Sequence, residues 1–390
     1  MMKDNRMMFF IFMLGTFTVG MAEYVVTGLL TQIAGDMKVS ISSAGLLISV
    51  YAVGVALIGP FMRVFTMRVH AQRLLPILVA IFIISNVIGM LAPNFPILLL
   101  SRLLSASMHA PFFGVCMSVA AAVAPRGKQP QAIALVQAGL TIAVMLGVPF
   151  GSFLGGFANW RVVFGVMIGL AIITMLGMMK FVPNVTLSTE TNIKGELKVF
   201  KNPHILIIMS IIIFGYSGVF TTYTFMEPMI HKFSPYGIVG LTLCLFMFGL
   251  GGVMGNLVTG SVPEPKLTKF LFYTFLLLFL TIISFVTAVH SAILAVIICF
   301  LFGFGTFGTT PLLNSKIILS AKEAPLLAST LAASIFNVAN FLGALIGSIL
   351  LSIGFPYLII TFVSGGIIIL GILLNTLNHF YEKKNIQFEE

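Results

Sequence analysis

A series of long apolar segments most constrains the fold of this chain, because they follow one another from Met7 to Leu377. Each is roughly 18 to 25 residues long, enough for an α-helix to cross a hydrocarbon core of about 30 Å. They predict twelve transmembrane helices, at residues 7–31, 43–65, 74–92, 96–122, 131–156, 160–181, 204–227, 237–259, 268–288, 291–312, 326–350 and 355–378. The polar stretch between the sixth and seventh segments is too short for a soluble catalytic or nucleotide-binding domain.

Composition agrees with a membrane protein, since 59% of the residues are hydrophobic and 8% are charged, against about 25% charged in soluble domains. The first apolar run is too long for a signal-peptide core and lacks a small-residue cleavage site, so we expect it to remain as a helix. The cysteines all fall within predicted helices, where small apolar packing is their usual role. They are Cys116, Cys244 and Cys299.

The net charge of +10 indicates membrane orientation and not a nucleic-acid partner. If the N-terminus is cytoplasmic, most of the 21 Lys and Arg residues fall in cytoplasmic loops and tails. Lys38, Arg161 and Lys232 fall on the opposite side, and Arg102 lies within a helix. The positive-inside rule therefore predicts an even number of helices, with both termini in the cytoplasm.

Two repeated sequence patterns predict that the chain is built from two halves. Residues 146–152 (Leu-Gly-Val-Pro-Phe-Gly-Ser) resemble residues 342–348 (Leu-Gly-Ala-Leu-Ile-Gly-Ser), about half the chain length away. Three glycines of the second helix recur at a similar spacing in the eighth: Gly45, Gly54 and Gly59, then Gly240, Gly249 and Gly255. Small residues are also common at helix interfaces in any membrane protein, which is the alternative explanation.

The repeated segment and the repeated glycines share one spacing, about half the chain. This favours an all-α membrane protein with two pseudo-symmetric six-helix halves. We predict an N-terminal half at 1–181, a cytoplasmic linker at 182–203 and a C-terminal half at 204–390. Transporters with this plan bind their substrate near the midplane between repeats. Rocking of the halves would then give alternating access.

Two opposite charges stand out because nearly all other acidic residues fall in predicted loops or tails. Glu23 lies well inside the first helix and Arg102 inside the fourth, which runs in the opposite direction, so both are placed in the outer half of the membrane. A charge at the bilayer centre costs about 2.5 to 3.5 kcal/mol on the insertion scale. The pair therefore indicates either a fixed ion pair that sets helix registry or a proton site whose proton affinity changes with its surroundings.

Further polar and aromatic side chains within the predicted helices are candidates for the site. His109, two helical turns after Arg102, is either a proton relay or substrate contact, or a satisfied polar helix contact. Polar side chains and aromatic rings together could line a small-molecule site. The substrate-binding candidates are Tyr24, Tyr51, Gln137, Tyr216, Tyr223, Phe336, Asn337 and Asn340. No metal site and no catalytic residues are predicted.

The fifth helix carries the strongest local similarity to a known family. Its glycines and proline resemble the antiporter motif of the twelve-helix drug:proton antiporter branch of the major facilitator superfamily, which includes bacterial sugar (arabinose-type), purine and chloramphenicol efflux proteins. The matching positions are Gly139, Gly147, Pro149, Gly151, Gly155 and Gly156. In this family such residues would bend the helix and allow close packing.

Other motifs extend the resemblance over the whole chain. Ser101-Arg102 is similar to the fourth-helix arginine motif, residues 109–114 (His-Ala-Pro-Phe-Phe-Gly) to a run in arabinose-efflux proteins, and residues 22–30 to a first-helix acidic motif thought to couple protons. The loop after the second helix resembles the cytoplasmic gating motif but lacks its aspartate and second glycine. Its matching residues are Gly59, Arg63, Arg68 and Arg73.

The resemblance implies a secondary active transporter of the bacterial inner membrane, driven by the proton gradient and without a cofactor. Its substrate would be a small neutral or lipophilic solute such as a drug, a sugar or a purine nucleoside, exported in exchange for protons. Its partners would be membrane lipid, the solute and protons, with no nucleic acid, and it would act as a monomer. The alternatives are a proton-coupled or exchange importer, a membrane-embedded enzyme and a channel.

Overall fold

A computed structural model describes residues 6–58, 61–62, 69–125, 128–183, 203–233, 237–320 and 325–389, and every regular element in these ranges is helical. Within these ranges, twelve helices are long and apolar enough to span a membrane, as predicted from the sequence. In chain order α1 to α12 are Arg6–Gly28, Ile41–Ile58, Ala71–Met90, Phe95–Val123, Gln131–Phe157, Trp160–Phe181, Pro203–Phe233, Gly237–Gly260, Glu264–Ala288, Ala292–Ser320, Ala332–Ser352 and Tyr357–Phe380. Three gating-loop residues lie outside the described ranges: Gly59, Arg63 and Arg68.

Several helices depart from regular α geometry. The last turn of α1, Val25–Gly28, is a 3₁₀ turn, and the short helix Leu30–Met37 follows it. Helix α2 ends in the π-helical segment Gly54–Ile58. Helix α5 has a second π segment, Ala143–Gly147, directly before Pro149, whose ring clashes with the carbonyl four residues earlier and so displaces the regular hydrogen bonds.

The described residues form two compact units. Unit 1 lies within Met1–Ser40 and Leu46–Glu190, and unit 2 within Ile41–Gly45 and Thr191–Glu390. In unit 1 the main packed pairs are α1 with α5 and α6, α3 with α4 and α6, and α4 with α2. In unit 2 they are α7 with α11 and α12, α9 with α10 and α12, and α10 with α8. Adding six to each helix number converts the first set into the second, so the repeat inferred from the sequence is a repeat of helix packing.

Glycines bring the equivalent helices into close contact in both units. A Cβ on Gly139 of α5 would meet the backbone oxygen of Met13 and the hydroxyl of Thr16 on α1. In unit 2, a Cβ on Gly343 of α11 would meet the backbone oxygen of Ser217 on α7. The glycines therefore allow the backbones to approach, as small residues do in many membrane helix pairs.

Two charged residues lie differently from what the sequence indicated. The predicted tenth span ends at residue 312, but α10 continues to Ser320 and buries Lys316, whose Nζ donates to the Thr268 hydroxyl at 2.5 Å. The predicted seventh span ends at Glu227, yet α7 continues to Phe233 and the Glu227 side chain is 1% exposed. In both cases a charge ended the apolar run before the helix itself ended.

Candidate functional site

Glu23 lies near the end of α1, just before its 3₁₀ turn, and its side chain is buried. Its Oε2 lies 3.7 Å from Nε2 of His109 on α4. The acid that stood out in the sequence therefore faces an imidazole, which can share or exchange a proton with it.

His109 is held from two sides. The hydroxyl of Tyr51 on α2 hydrogen-bonds to its Nδ1 at 3.0 Å. On another side, Phe113 of α4 stacks on the imidazole with ring centroids 4.7 Å apart and an angle of 17° between planes. The ring is thus oriented with Nδ1 toward Tyr51 and Nε2 toward Glu23.

Arg102 is 1% exposed and lies over the Tyr51 ring, with its Cζ 4.3 Å from the ring centroid. Among the described residues, none of its three guanidinium nitrogens has a hydrogen-bond acceptor. Nor does it form an ion pair with Glu23 within the described part of the chain. The cation is stabilised by the electron-rich face of an aromatic ring, and the opposite charges are close in the fold without direct contact.

These four residues form what we call the Glu23 cluster: Glu23, Tyr51, Arg102 and His109. They come from three helices of unit 1 and combine one acid, one imidazole, one phenol and one guanidinium in an apolar interior. Such groups can hold, release or repel a proton. Among the described residues, no group of three or more His, Cys, Asp and Glu side chains could hold a metal ion.

In unit 2, some of the predicted substrate-binding residues lie together. Tyr216 of α7 donates its hydroxyl to the backbone oxygen of Thr306 on α10 and lies 2.6 Å from the hydroxyl oxygen of Thr310. Its ring meets Phe336 of α11 edge to face, with centroids 4.8 Å apart. Another predicted residue, Tyr223, stacks on Phe248 of α8 at 5.0 Å. Hydroxyl groups and aromatic rings therefore lie next to one another in the interior of unit 2.

The two asparagines of α11 add acceptor groups to unit 2. Asn340 is 4% exposed, and its side-chain oxygen has no donor among the described residues. The same holds for the side-chain oxygen of Asn337, whose amide nitrogen donates to the Ala333 backbone oxygen one turn earlier at 3.1 Å. Buried amide oxygens of this kind can accept hydrogen bonds from a hydroxylated ligand.

Two other predicted residues, Gln137 and Arg73, lie apart from these two groups, whereas Tyr24 adjoins the Glu23 cluster. Gln137 is exposed and contacts Met117 of α4, Arg73 is exposed at the start of α3, and Tyr24 is half-buried beside Glu23. Within the antiporter-type motif, Gly139, Gly147 and Gly151 face α1, whereas Gly155 faces Leu29 and Gln32 just after it. Gly156 is exposed.

Phe113, Thr306 and Thr310 were not selected from the sequence as site residues. Phe113 lies four residues after His109, so helical periodicity places both on one face and could have indicated the stacking. The two threonines could be identified only from the fold, because their contacts depend on α7 packing beside α10.

A polar contact outside the apolar spans joins the start of α6 to the short helix after α1. The carboxylate of Asp36 accepts hydrogen bonds from the guanidinium of Arg161 and from Nε1 of Trp160, the latter at 3.0 Å. Arg161 also donates to the Ala92 backbone oxygen at 3.2 Å. The hydrogen bond from Arg161 lowers the pKa of Asp36 below its usual value, more than partial burial raises it.

Comparisons with known proteins agree with this architecture. The family model of the Major Facilitator Superfamily matches residues 12–348. An uncharacterized MFS-type transporter of Bacillus subtilis, YfhI, is 41% identical over 98% of this chain and 96% of its own length. A probable sugar efflux transporter of Helicobacter pylori (strain P12) is 32% identical over 94% of this chain and 93% of its own.

A solved structure shows the same fold at low identity. The crystal structure of a point mutant of the nucleoside transporter NupG superposes with a TM-score of 0.74 at 12% identity, covering 94% of this chain and 98% of the other. The sequence relatives and the family are transporters and not enzymes. From the family match over most of the chain, together with twelve helices in two repeated units, we conclude that this protein belongs to the major facilitator superfamily.

Proposed function

We propose that this protein exports a small neutral solute in exchange for protons, with Glu23 as the proton-binding group. The observation that carries the proposal is the buried contact of Glu23 with His109, beside an arginine that does not neutralise the acid directly. Charged residues inside a membrane are costly and usually mark an ion or proton pathway.

The chemistry of the Glu23 cluster supports proton binding. Burial favours the neutral acid, whereas a nearby cation favours the carboxylate. A small displacement of α1, α2 or α4 would change the balance between these effects, so that Glu23 could take up a proton in one state and release it in another. Alternating access requires a site that changes in this way.

Two observations favour export by antiport over import. The glycines of α5 pack along α1 in the pattern of the antiporter-type motif, and the relative from Helicobacter pylori is described as a probable sugar efflux transporter. The excess of basic residues in alternate loops supports cytoplasmic termini in a bacterial inner membrane. We further propose that the protein acts as a monomer.

The polar groups of unit 2 favour a neutral, hydroxylated substrate. Tyr216, whose ring meets that of Phe336, and Thr310 contribute hydroxyl oxygens, and Asn340 contributes a buried amide oxygen that has no donor among the described residues. No side chain among these contributes a formal charge. A sugar or a nucleoside would match such a surface with its hydroxyl groups and its apolar ring face.

Transport in proteoliposomes tests the proposal with three labelled probes: arabinose, adenosine and chloramphenicol. With an acidic lumen, we expect the wild-type protein to accumulate at least one probe above its external concentration, because protons leave as the solute enters. Glu23→Gln should lose this accumulation yet still exchange labelled for unlabelled probe without a gradient. Tyr273→Phe, at an exposed position of α9, is the control and should behave like wild type.

Each alternative gives a different result in the same assay. Accumulation only with an alkaline lumen would indicate symport and contradict antiport. Undiminished uphill transport by Glu23→Gln would exclude Glu23 as the coupling group. Failure of all three probes with either gradient would contradict the proposed class of substrate.

A further inference from the structure

Tyr51, a substrate-binding candidate from the sequence, lies in the Glu23 cluster. Its hydroxyl contacts the Nδ1 of His109 at 3.0 Å, and its ring face lies under the Arg102 guanidinium, 4.3 Å from centroid to Cζ. The side chain is 1% exposed. One side chain from α2 therefore contacts both basic groups that α4 presents to the acid on α1.

We propose that Tyr51 is the positioning residue of the proton site: its hydroxyl orients His109 toward Glu23, while its ring holds the Arg102 guanidinium away from the carboxylate. The inference rests on the proposed proton site at Glu23 and assigns Tyr51 a role in tuning it. Loss of the hydroxyl and loss of the ring should therefore have different effects.

The hydroxyl determines which imidazole nitrogen faces the acid. When the phenol donates to Nδ1, the neutral imidazole carries its proton on Nε2, which faces Oε2 of Glu23 at 3.7 Å. A neutral imidazole has one donor and one acceptor nitrogen, so fixing one fixes the other. Tyr51 thereby directs the N–H group of His109 toward the carboxylate of Glu23.

The ring determines the position of the cation. Among the described residues the guanidinium of Arg102 has no acceptor, and the face of Tyr51 is its close electrostatic contact. A buried cation without that surface gains most by moving to the nearest carboxylate. Without the aromatic ring, Arg102 is expected to pair with Glu23 and make the acid harder to protonate.

The titratable side chains on the helices around Glu23 limit which residues can change its protonation. Tyr24 neighbours it on α1, α2 contributes Tyr51, and α4 contributes Arg102, His109 and Cys116. The α5 span carries no titratable side chain, whereas α6 carries Arg161 and Lys180 near its two ends. A shift in the protonation of Glu23 after a change at Tyr51 is thus expected to pass through His109 or Arg102.

Infrared difference spectroscopy of the full-length protein in lipid films tests the role of the ring without any substrate. The carboxylic-acid band of Glu23, assigned by its loss in Glu23→Gln, is titrated with pH in the wild type and in variants. For Tyr51→Leu we expect the midpoint to fall by about one pH unit or more, the usual effect of an adjacent arginine on a carboxyl. In the Arg102→Met background, Tyr51→Leu should cause no such fall.

Tyr51→Phe separates the hydroxyl from the ring. The phenylalanine ring still carries the guanidinium, so the midpoint should move by less than in Tyr51→Leu. Nitrogen-15 NMR of histidine-labelled protein, with the His109 signal assigned by His109→Asn, should show an unprotonated Nδ1 in wild type and a loss of this preference in Tyr51→Phe. Tyr273→Phe is the control for both measurements.

Equal midpoints in wild type and Tyr51→Leu, or a fall that persists without Arg102, would overturn the role of the ring. An unchanged His109 signal in Tyr51→Phe would overturn the role of the hydroxyl, and this measurement decides the proposal if Tyr51→Leu does not fold. Because no substrate is used, these results stand apart from the transport assay. A site can titrate as expected even if the protein does not exchange protons for the solute.

Discussion

The two units share a pattern of helix packing but differ in the chemistry of their interiors. In unit 1, α4 carries Arg102 and His109, and α1 brings Glu23 beside them. In unit 2, the corresponding helix α10 carries Thr306 and Thr310 in its middle part and contacts the hydroxyl of Tyr216. The two units therefore share how their helices pack but not which side chains line their interiors.

This difference suggests that the two units have different functions, proton coupling in unit 1 and solute binding in unit 2. Unit 2 buries its own ionisable groups, Glu227 and Lys316, toward the ends of α7 and α10. The middle of these helices, which carries no such group, can then bind a neutral solute through hydroxyl, amide and aromatic groups. Variants that affect only one unit should then affect either proton coupling or solute affinity, whereas variants at shared packing positions should affect stability in both units.

Arg102→Met should have the largest effect on the function of unit 1. We expect gradient-driven transport to fall at least about tenfold, equivalent to 1.4 kcal/mol, because the cation that tunes Glu23 is lost. Stability should rise, because the variant no longer buries a guanidinium that has no hydrogen-bond acceptor among the described residues. Transport assays and thermal unfolding in detergent measure the two effects.

The matched change in unit 2 is Thr309→Val, at a buried position of α10 where the hydroxyl bonds to its own helix. It should change neither coupling nor stability by a comparable amount. A destabilised Arg102→Met protein would show that the arginine has a structural role, and would weaken the contrast between the units.

Glycine-to-alanine changes test the packing that the units share. Gly139→Ala and Gly343→Ala should each lower the free energy of unfolding by about 1 to 3 kcal/mol, the usual cost of overpacking, because the added Cβ meets backbone atoms of the facing helix. Thermal unfolding in detergent measures the change. Gly169→Ala and Gly366→Ala are the controls, since a Cβ there meets nothing within 4 Å.

Similar losses at Gly139 and Gly343 would confirm that α1–α5 and α7–α11 are equivalent interfaces. A loss of stability at only one of them would show that the two interfaces are alike in packing but differ in their contribution to stability.

Asn340→Leu tests the assignment of solute binding to unit 2. Removing the buried amide should weaken binding of the transported probe about five- to tenfold, the value of roughly one hydrogen bond, and leave the pH midpoint of Glu23 unchanged. Binding to the purified protein and the infrared titration measure these two quantities. A shifted midpoint with unchanged affinity would reverse the assignment.

The smallest expected effect concerns the contact of Asp36 with Arg161. The folded protein lowers the pKa of Asp36, so its contribution to stability is full at neutral pH and is lost as the pH falls below about 4. Because Asp36 is 40% exposed, this contribution should be under about 1 kcal/mol. Thermal unfolding of Asp36→Asn should therefore match wild type at low pH and fall slightly below it at neutral pH.

Unit 2 has a different contact near the end of α7, where Lys232 lies 5.4 Å from the ring centroid of Tyr357. Lys232→Gln should lower stability by a similarly small amount, but without the acid-dependent loss, because no carboxylate takes part in that ring contact. A matching pH dependence would contradict this distinction.

Hydropathy predicted the twelve helices because a membrane span requires a long apolar run, and the shared spacing of small residues predicted the repeat. Hydropathy misplaced the ends of α7 and α10, because Glu227 and Lys316 interrupt an apolar run without ending the helix. A side chain such as Lys316 can be buried when a hydroxyl on a neighbouring helix receives it.

The sequence also identified Glu23, Arg102 and His109 from their unusual location, but not how they meet. Depth along each helix allowed a pair of Glu23 and Arg102, whereas the structure places His109 against the acid and Arg102 over Tyr51. The rotation of α4 and the approach of α2 decide this, and neither follows from local sequence. Thr306 and Thr310 were missed for the same reason.

The most direct test of the central claim is proton release on substrate binding. Purified protein in weakly buffered detergent, with a pH-sensitive dye, is mixed with whichever probe it transports. We expect wild type to release protons when the probe binds, whereas Glu23→Gln binds the probe and releases none. Equal proton release by both proteins, or binding by wild type without any release, would contradict proton-coupled exchange at Glu23.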